Sequence, residues 1–223
     1  MKLINNFFKY IVSISIIITT LLTVVDFCCF DKQFYYSQYE KNNTKEVVKT
    51  DNSNLIKITD NLLDYLRNKN DDINITYLKN GEETNVYQDI EIIHMSYVKD
   101  LYQNVVVFRN VLAIISIIGI CYLLINKISF RKEFNCSVFL IVLVILLIGI
   151  SCIIDFNSFW FSFHKVFFTK NDYWLLDPNT CILVNLFTSE FFFSLCTKIC
   201  IITIIVILLL IFIINLYEKK KYS

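Results

Sequence analysis

The chain has 223 residues, of which 56% are hydrophobic and 18% charged, with a single proline. That balance belongs to an integral membrane protein rather than to a soluble domain. The formal net charge of +1 leaves no basic surface for nucleic acid, and the eight cysteines include no CxxC pair, which excludes a thiol–disulfide motif.

Residues 7–27 form the first apolar run, about as long as a bilayer crossing requires, so residues 1–30 are expected to be an uncleaved anchor. A polar segment follows, over 31–104. Within it, Asp51 to Asn70 reads as an amphipathic helix capped by Ser53, with Leu55, Ile58, Leu62 and Leu66 as its stripe. Ile73–Leu78 and Thr84–Gln88 read as a hairpin turning at Asn80-Gly81. A helix then carries His94, one of only two histidines, on a face with Ile90, Tyr97, Val98 and Leu101. Glu91 lies one turn before it.

The second and third spans are expected at 105–126 and 136–155, within a segment 105–155. Between them sits the short basic loop Lys127–Lys132. Short basic loops stay cytoplasmic. The aromatic-rich loop 156–192 carries His164, and the segment 193–223 holds a fourth span and the basic tail Lys219-Lys220-Lys221. The expected fold is therefore membrane all-α, with four transmembrane helices and a small extracytoplasmic helix-plus-hairpin segment. Both termini face the cytoplasm in this reading. Both histidines then lie outside, close to the membrane surface.

Ionisable residues near span ends default to a functional reading. Arg109 and Lys198 are the candidates for holding a polar headgroup. No metal site is expected, because neither histidine has companion ligands at zinc spacing. A straight helix from His94 into a span starting at Val105 would lift the imidazole roughly 16 Å above the hydrocarbon, at about 1.5 Å per residue. A bend near Gln103-Asn104, or a helix lying along the surface, is expected instead.

Glu91-x-x-His94-Met95 ahead of the second span, and Phe163-His164-x-x-Phe167-Phe168 ahead of Trp174-Leu-Leu-Asp177-Pro178, resemble the lipoprotein intramolecular transacylases of low-GC Gram-positive bacteria. The likeness covers nearly the whole chain. Family members carry His-Met-x-Asp-Val; here Tyr97 stands in the aspartate's place, and the proline usual before the final aromatic pair is missing near Phe187-Thr188. The resemblance implies transfer of the sn-2 acyl chain of a diacylglyceryl lipoprotein to the α-amine of its own N-terminal cysteine, without a cofactor. It implies His94, His164, Glu91 and Tyr97 as catalytic positions. His94 serves as base, His164 as acid or oxyanion donor and Glu91 as orienter, with the order of the two histidines left open. Met95, Tyr102, Arg109, Phe163, Phe167, Phe168, Trp174 and Lys198 are the expected contacts to lipoprotein and membrane lipid. The alternative is a non-catalytic binding or assembly protein of the same fold, favoured by Tyr97.

Overall fold

The computed structural model describes residues 2–79, 82–169 and 171–222. In chain order the elements are α1 (Lys2–Cys29), α2 (Lys32–Lys41), α3 (Thr44–Val48), α4 (Asn52–Leu66), β1 (Thr76–Lys79), β2 (Glu82–Asn85), α5 (Asp89–Ile125), α6 (Arg131–Ile154), α7 (Phe156–Phe167), α8 (Leu183–Leu186) and α9 (Ser189–Tyr222). Four of these, α1, α5, α6 and α9, are long and apolar enough to cross a membrane. The chain is a multi-pass membrane protein.

Two compact units divide it. The apolar unit comprises Met1–Phe27, Val105–Ile154 and Cys196–Ser223; the other, here the histidine unit, comprises Cys28–Asn104 and Asp155–Leu195. The 37 residues of α5 run through both. At about 1.5 Å per residue they extend about 55 Å, well beyond a hydrocarbon core of about 30 Å. Only the part from Val105 onward is free of acidic residues and apolar enough to span. The preceding part carries Asp89, Glu91, His94, Lys99 and Asp100 and belongs to the histidine unit. Helical structure passes unbroken through Gln103 and Asn104, and the boundary between the units falls directly after Asn104.

The apolar unit is organised around Val12, Ile17, Leu123, Phe134 and Ile207. Lys9 of α1 pairs with Glu133 of α6 at 2.6 Å. Glu218 of α9 accepts the Phe130 N–H at 3.1 Å, bracing the turn between α5 and α6. Gly119 lets α5 approach α1: a β-carbon there would collide with the Val12 methyls. Helices in lipid associate through such small residues, since tails are as apolar as the side chains. Gly119→Val is expected to cost about 1–3 kcal/mol by overpacking, seen as a lower thermal midpoint of the purified protein in detergent. An unchanged midpoint would mean that the two helices are free to separate.

In the histidine unit, α4 starts one residue after its cap. Asp51, not Ser53, is the N-cap, accepting the Asn54 N–H at 2.8 Å, and Ser53 donates to the Asp51 carboxylate. An ionised carboxylate is the stronger acceptor at a helix N-terminus. The helix ends at Leu66 rather than Asn70, with Asn68 at φ 57, a left-handed conformation that asparagine tolerates. The expected stripe is buried at Leu55, Ile58 and Leu62, and Leu63 and Tyr65 join it. The hairpin is present but shorter and displaced. Thr76 pairs Asn85 and Tyr77 pairs Thr84 in an antiparallel two-stranded sheet, and the expected turn at Asn80-Gly81 lies outside the described residues. Residues 31–50, read only as polar, fold into α2 and α3. Phe34 and Tyr35 of α2 pack on Phe191 at ring distances of 5.4 and 5.1 Å.

Candidate active site

The loop after α6 opens with a helix, α7. Asp155 caps α7 by accepting the Ser158 N–H at 3.1 Å. Phe156, Trp160, Phe163, His164 and Phe167 then recur at helical spacing on one face. Trp160 stacks on Phe156 at 5.8 Å and on Phe163 at 5.1 Å. His164 is thus presented by a helix that aromatic stacking stiffens.

The two histidines converge. Their ring centroids are 6.0 Å apart, although 70 positions separate them in sequence. The rings are too far apart for a direct hydrogen bond and close enough for both to touch one group set between them. Phe168 closes one side, 5.3 Å from His94 and 5.6 Å from His164. Trp174 stacks on His164 at 5.2 Å, and Trp160 meets its edge at 4.9 Å. Phe161, Val166, Phe167, Tyr173 and Leu175 are exposed around this cluster, an apolar rim suited to lipid.

His164 Nδ1 lies 2.8 Å from the Trp160 carbonyl oxygen. A carbonyl only accepts, so Nδ1 carries the proton and Nε2 of the neutral ring keeps its lone pair. Burial pushes the His164 pKa below its ordinary 6.5, and the bond to Trp160 works against that shift. His94, almost wholly buried, is depressed further. Burial, then the neighbouring His164, bring it to about 4. Both rings are neutral at pH 7.

Glu91 is fully buried. Its oxygens accept the Leu183 N–H at 2.7 Å and the Gln88 N–H at 2.8 Å. The second contact is the reach-back half of a capping box on α5; the first caps α8. Among the described residues no hydrogen bond joins Glu91 to an imidazole. Glu91, the expected orienter, spends both carboxylate oxygens on backbone amides, one at its own helix end and one at Leu183. Burial raises its pKa, and the amide donors oppose that rise.

Other expected positions divide between the units. Met95 is buried. Tyr97 is exposed and stacks on Tyr173 at 6.5 Å. Phe163 packs on Phe167 at 4.7 Å, in the same aromatic cluster as Phe168 and Trp174. Tyr102 sits against Phe30 at 5.0 Å, and Arg67 lies over Phe30 at 3.8 Å. Arg109 and Lys198 belong to the apolar unit. Arg109 is paired with Asp26 at 2.8 Å, so its charge is already compensated. Trp160, whose carbonyl sets the His164 tautomer, was not among the expected contacts; its place four residues before His164 was the available signal.

A family model described as "Lipoprotein intramolecular transacylase Lit" matches residues 10–192. Among solved structures, the membrane-integral lipoprotein intramolecular transacylase Lit from Bacillus cereus is 21% identical, with all of both chains covered and a TM-score of 0.82. A histidine-to-alanine variant of that protein is 20% identical over 99% of this chain and 96% of its own, with a TM-score of 0.80. No curated protein matches the chain. At these identities the structural likeness establishes the fold.

Proposed function

The chain belongs to the lipoprotein intramolecular transacylase family, and from that premise we propose that it moves the sn-2 acyl chain of a diacylglyceryl lipoprotein onto the α-amine of the same N-terminal cysteine. The observation that carries this reading is the meeting of two neutral imidazoles beside an apolar rim.

The amine, with a reference pKa of about 8, attacks in its neutral form. Its nitrogen bonds to the ester carbonyl carbon, and the carbonyl oxygen becomes an oxyanion. His164 Nε2 takes a proton from the nitrogen, which attack has made acidic. The neutral His94 N–H donates to the oxyanion. Collapse then breaks the carbon–oxygen bond to glycerol, and imidazolium His164 returns its proton to the leaving alkoxide. An N-acyl amide and a free secondary hydroxyl result, and both histidines end as they began. This exchanges the roles first expected for the pair. The reason is the Trp160 carbonyl, which holds the His164 lone pair on Nε2 and favours its charged form. His94 has the more depressed pKa and is the better neutral donor. Because amine and ester belong to one molecule, positioning supplies several kcal/mol of the barrier lowering, by analogy with measured effective molarities.

In this reading both termini face the cytoplasm, and the histidine pair works at the outer surface. The basic loop Lys127–Lys132 and the tail Lys219-Lys220-Lys221 support that orientation. Expression in a host lacking lipoprotein N-acylation, with mass spectrometry of its lipoproteins, tests the proposal. Wild type is expected to yield N-acyl lyso-forms, and His94→Ala to leave nearly all lipoproteins as diacyl species. Diacyl species alone with wild type would overturn it. They would favour a non-catalytic member of the family, the reading that Tyr97 in place of the family's aspartate supports.

A further inference from the structure

A groove of about 920 Å³ opens in the histidine unit, and neither histidine lines it. We propose that it holds the extended peptide on the C-terminal side of the substrate's lipidated cysteine. This rests on the acyl-transfer reading of the histidine pair.

The first ground is position. Ile90 lines the groove and precedes His94 by four residues on α5, one helical turn or about 6 Å. It lies on the side of His94 away from the spanning part of the helix. A lipoprotein with its ester between the imidazoles must lead its chain away from the lipid. At about 3.3 Å per extended residue, two residues cover that turn, so the third and later residues reach the groove.

The second ground is construction. The groove's walls are tied to the helix that presents His94. Gln88 Nε2 donates to the Thr180 carbonyl at 2.8 Å, and Glu91 binds the Gln88 and Leu183 amides at once. Gln88 and Thr180 both line the groove. A peptide lying there is therefore held in fixed relation to His94.

The third ground is chemistry. Asn85, Gln88 and Asn179 offer neutral side-chain amides, and only Lys49 and Asp89 among the lining residues are charged. These amides can hydrogen-bond a polypeptide backbone without demanding a sequence, and Val47, Ile90 and Ile182 beside them give its side chains apolar surface. β2, which supplies Thr84 and Asn85, belongs to a two-stranded sheet. One of its edges therefore has no strand paired to it among the described residues, which suits strand addition by an extended peptide. Lipoproteins share the lipidated cysteine and differ in the residues after it, so a sequence-tolerant groove matches the substrate class.

The test uses the full chain in detergent with synthetic diacylglyceryl-cysteinyl peptides of one and six residues, the longer also made with a benzophenone side chain at its fourth position. Lengthening the peptide is expected to lower KM about tenfold with kcat nearly constant. The benzophenone is expected to crosslink to residues that line the groove, 47–49, Tyr77, 84–90, 178–182 or Asn185. Asn85→Trp is expected to abolish that crosslink and most of the KM difference. A KM indifferent to length, or crosslinks elsewhere, would overturn the proposal even if amide forms. Crosslinking within the groove without any amide product would keep it as a site for lipidated peptide and overturn the acyl-transfer reading on which its role toward a substrate rests.

Discussion

His164→Ala is expected to lower the rate of acyl transfer about 10²–10⁴-fold, the usual contribution of a positioned general base. The loss follows from what His164 alone provides: a lone pair held on Nε2 by the bond from Nδ1 to the Trp160 carbonyl. His164→Gln separates this role from mere shape. A glutamine amide can hydrogen-bond in that space and cannot accept the amine's proton, so it is expected to be as inactive as alanine. Quantitative mass spectrometry of amide product from a synthetic lipopeptide reads both variants. Substantial activity in His164→Gln would remove the proton transfer assigned to this ring. The pH profile of wild type carries a second check. Only the neutral ring accepts a proton, and both pKa values are depressed from 6.5, His94 to about 4. The fraction of neutral imidazole therefore falls only as pH drops through those lowered values. From pH 8 downward, log kcat/KM is expected to fall with unit slope as the amine protonates, near its reference pKa of about 8. It should steepen only below 6.5. Steepening at or above 6.5 would mean that the imidazole is not desolvated as the fold implies.

Glu91→Ala is expected to produce the largest loss of stability among single substitutions in the histidine unit. It strands the buried Leu183 amide, at a cost of about 1–3 kcal/mol, while the Gln88 amide, on an exposed residue, can turn to water. That corresponds to a fall in thermal midpoint of about 2–12 °C, by the scaling for chains of this length. Glu91→Gln is expected to fall between the two, because its amide NH₂ must face one N–H donor. Turnover should fall in both variants while the pH at which the profile steepens stays where it is, since the carboxylate touches backbone rather than reacting atoms. Differential scanning fluorimetry in detergent, together with the pH profile, distinguishes this positioning role. A displaced pH profile with unchanged stability would instead assign Glu91 a direct part in proton transfer.

The departures from expectation have local causes. Ser53 was the expected cap of α4, and Asp51, two residues earlier, does the capping. The 3.6-residue periodicity that located the helix does not specify which of several competent caps wins. α2 and α3 are hard to read because their sequences are polar, with little apolar periodicity. Their buried Phe34, Tyr35, Tyr39 and Val48 gain partners from distant stretches, among them α4, α8, Phe187 and the start of α9. Arg109 was expected to hold a headgroup because ionisable residues near span ends default to a functional reading. Its contact with Asp26, 83 positions away, could not be read from either run alone.

Apolar length and composition determined the four spans, and the short motifs around His94 and His164 carried the family likeness. These are properties of single stretches, set by bilayer thickness and helix periodicity, and need no partner to be read. Tertiary structure alone decided that His94 and His164 face each other at 6.0 Å, and that Glu91 holds Leu183, 92 positions on. It also decided that Arg109 is compensated by Asp26. Each is a contact between distant stretches, whose partner is chosen by which surfaces the packed helices bring together.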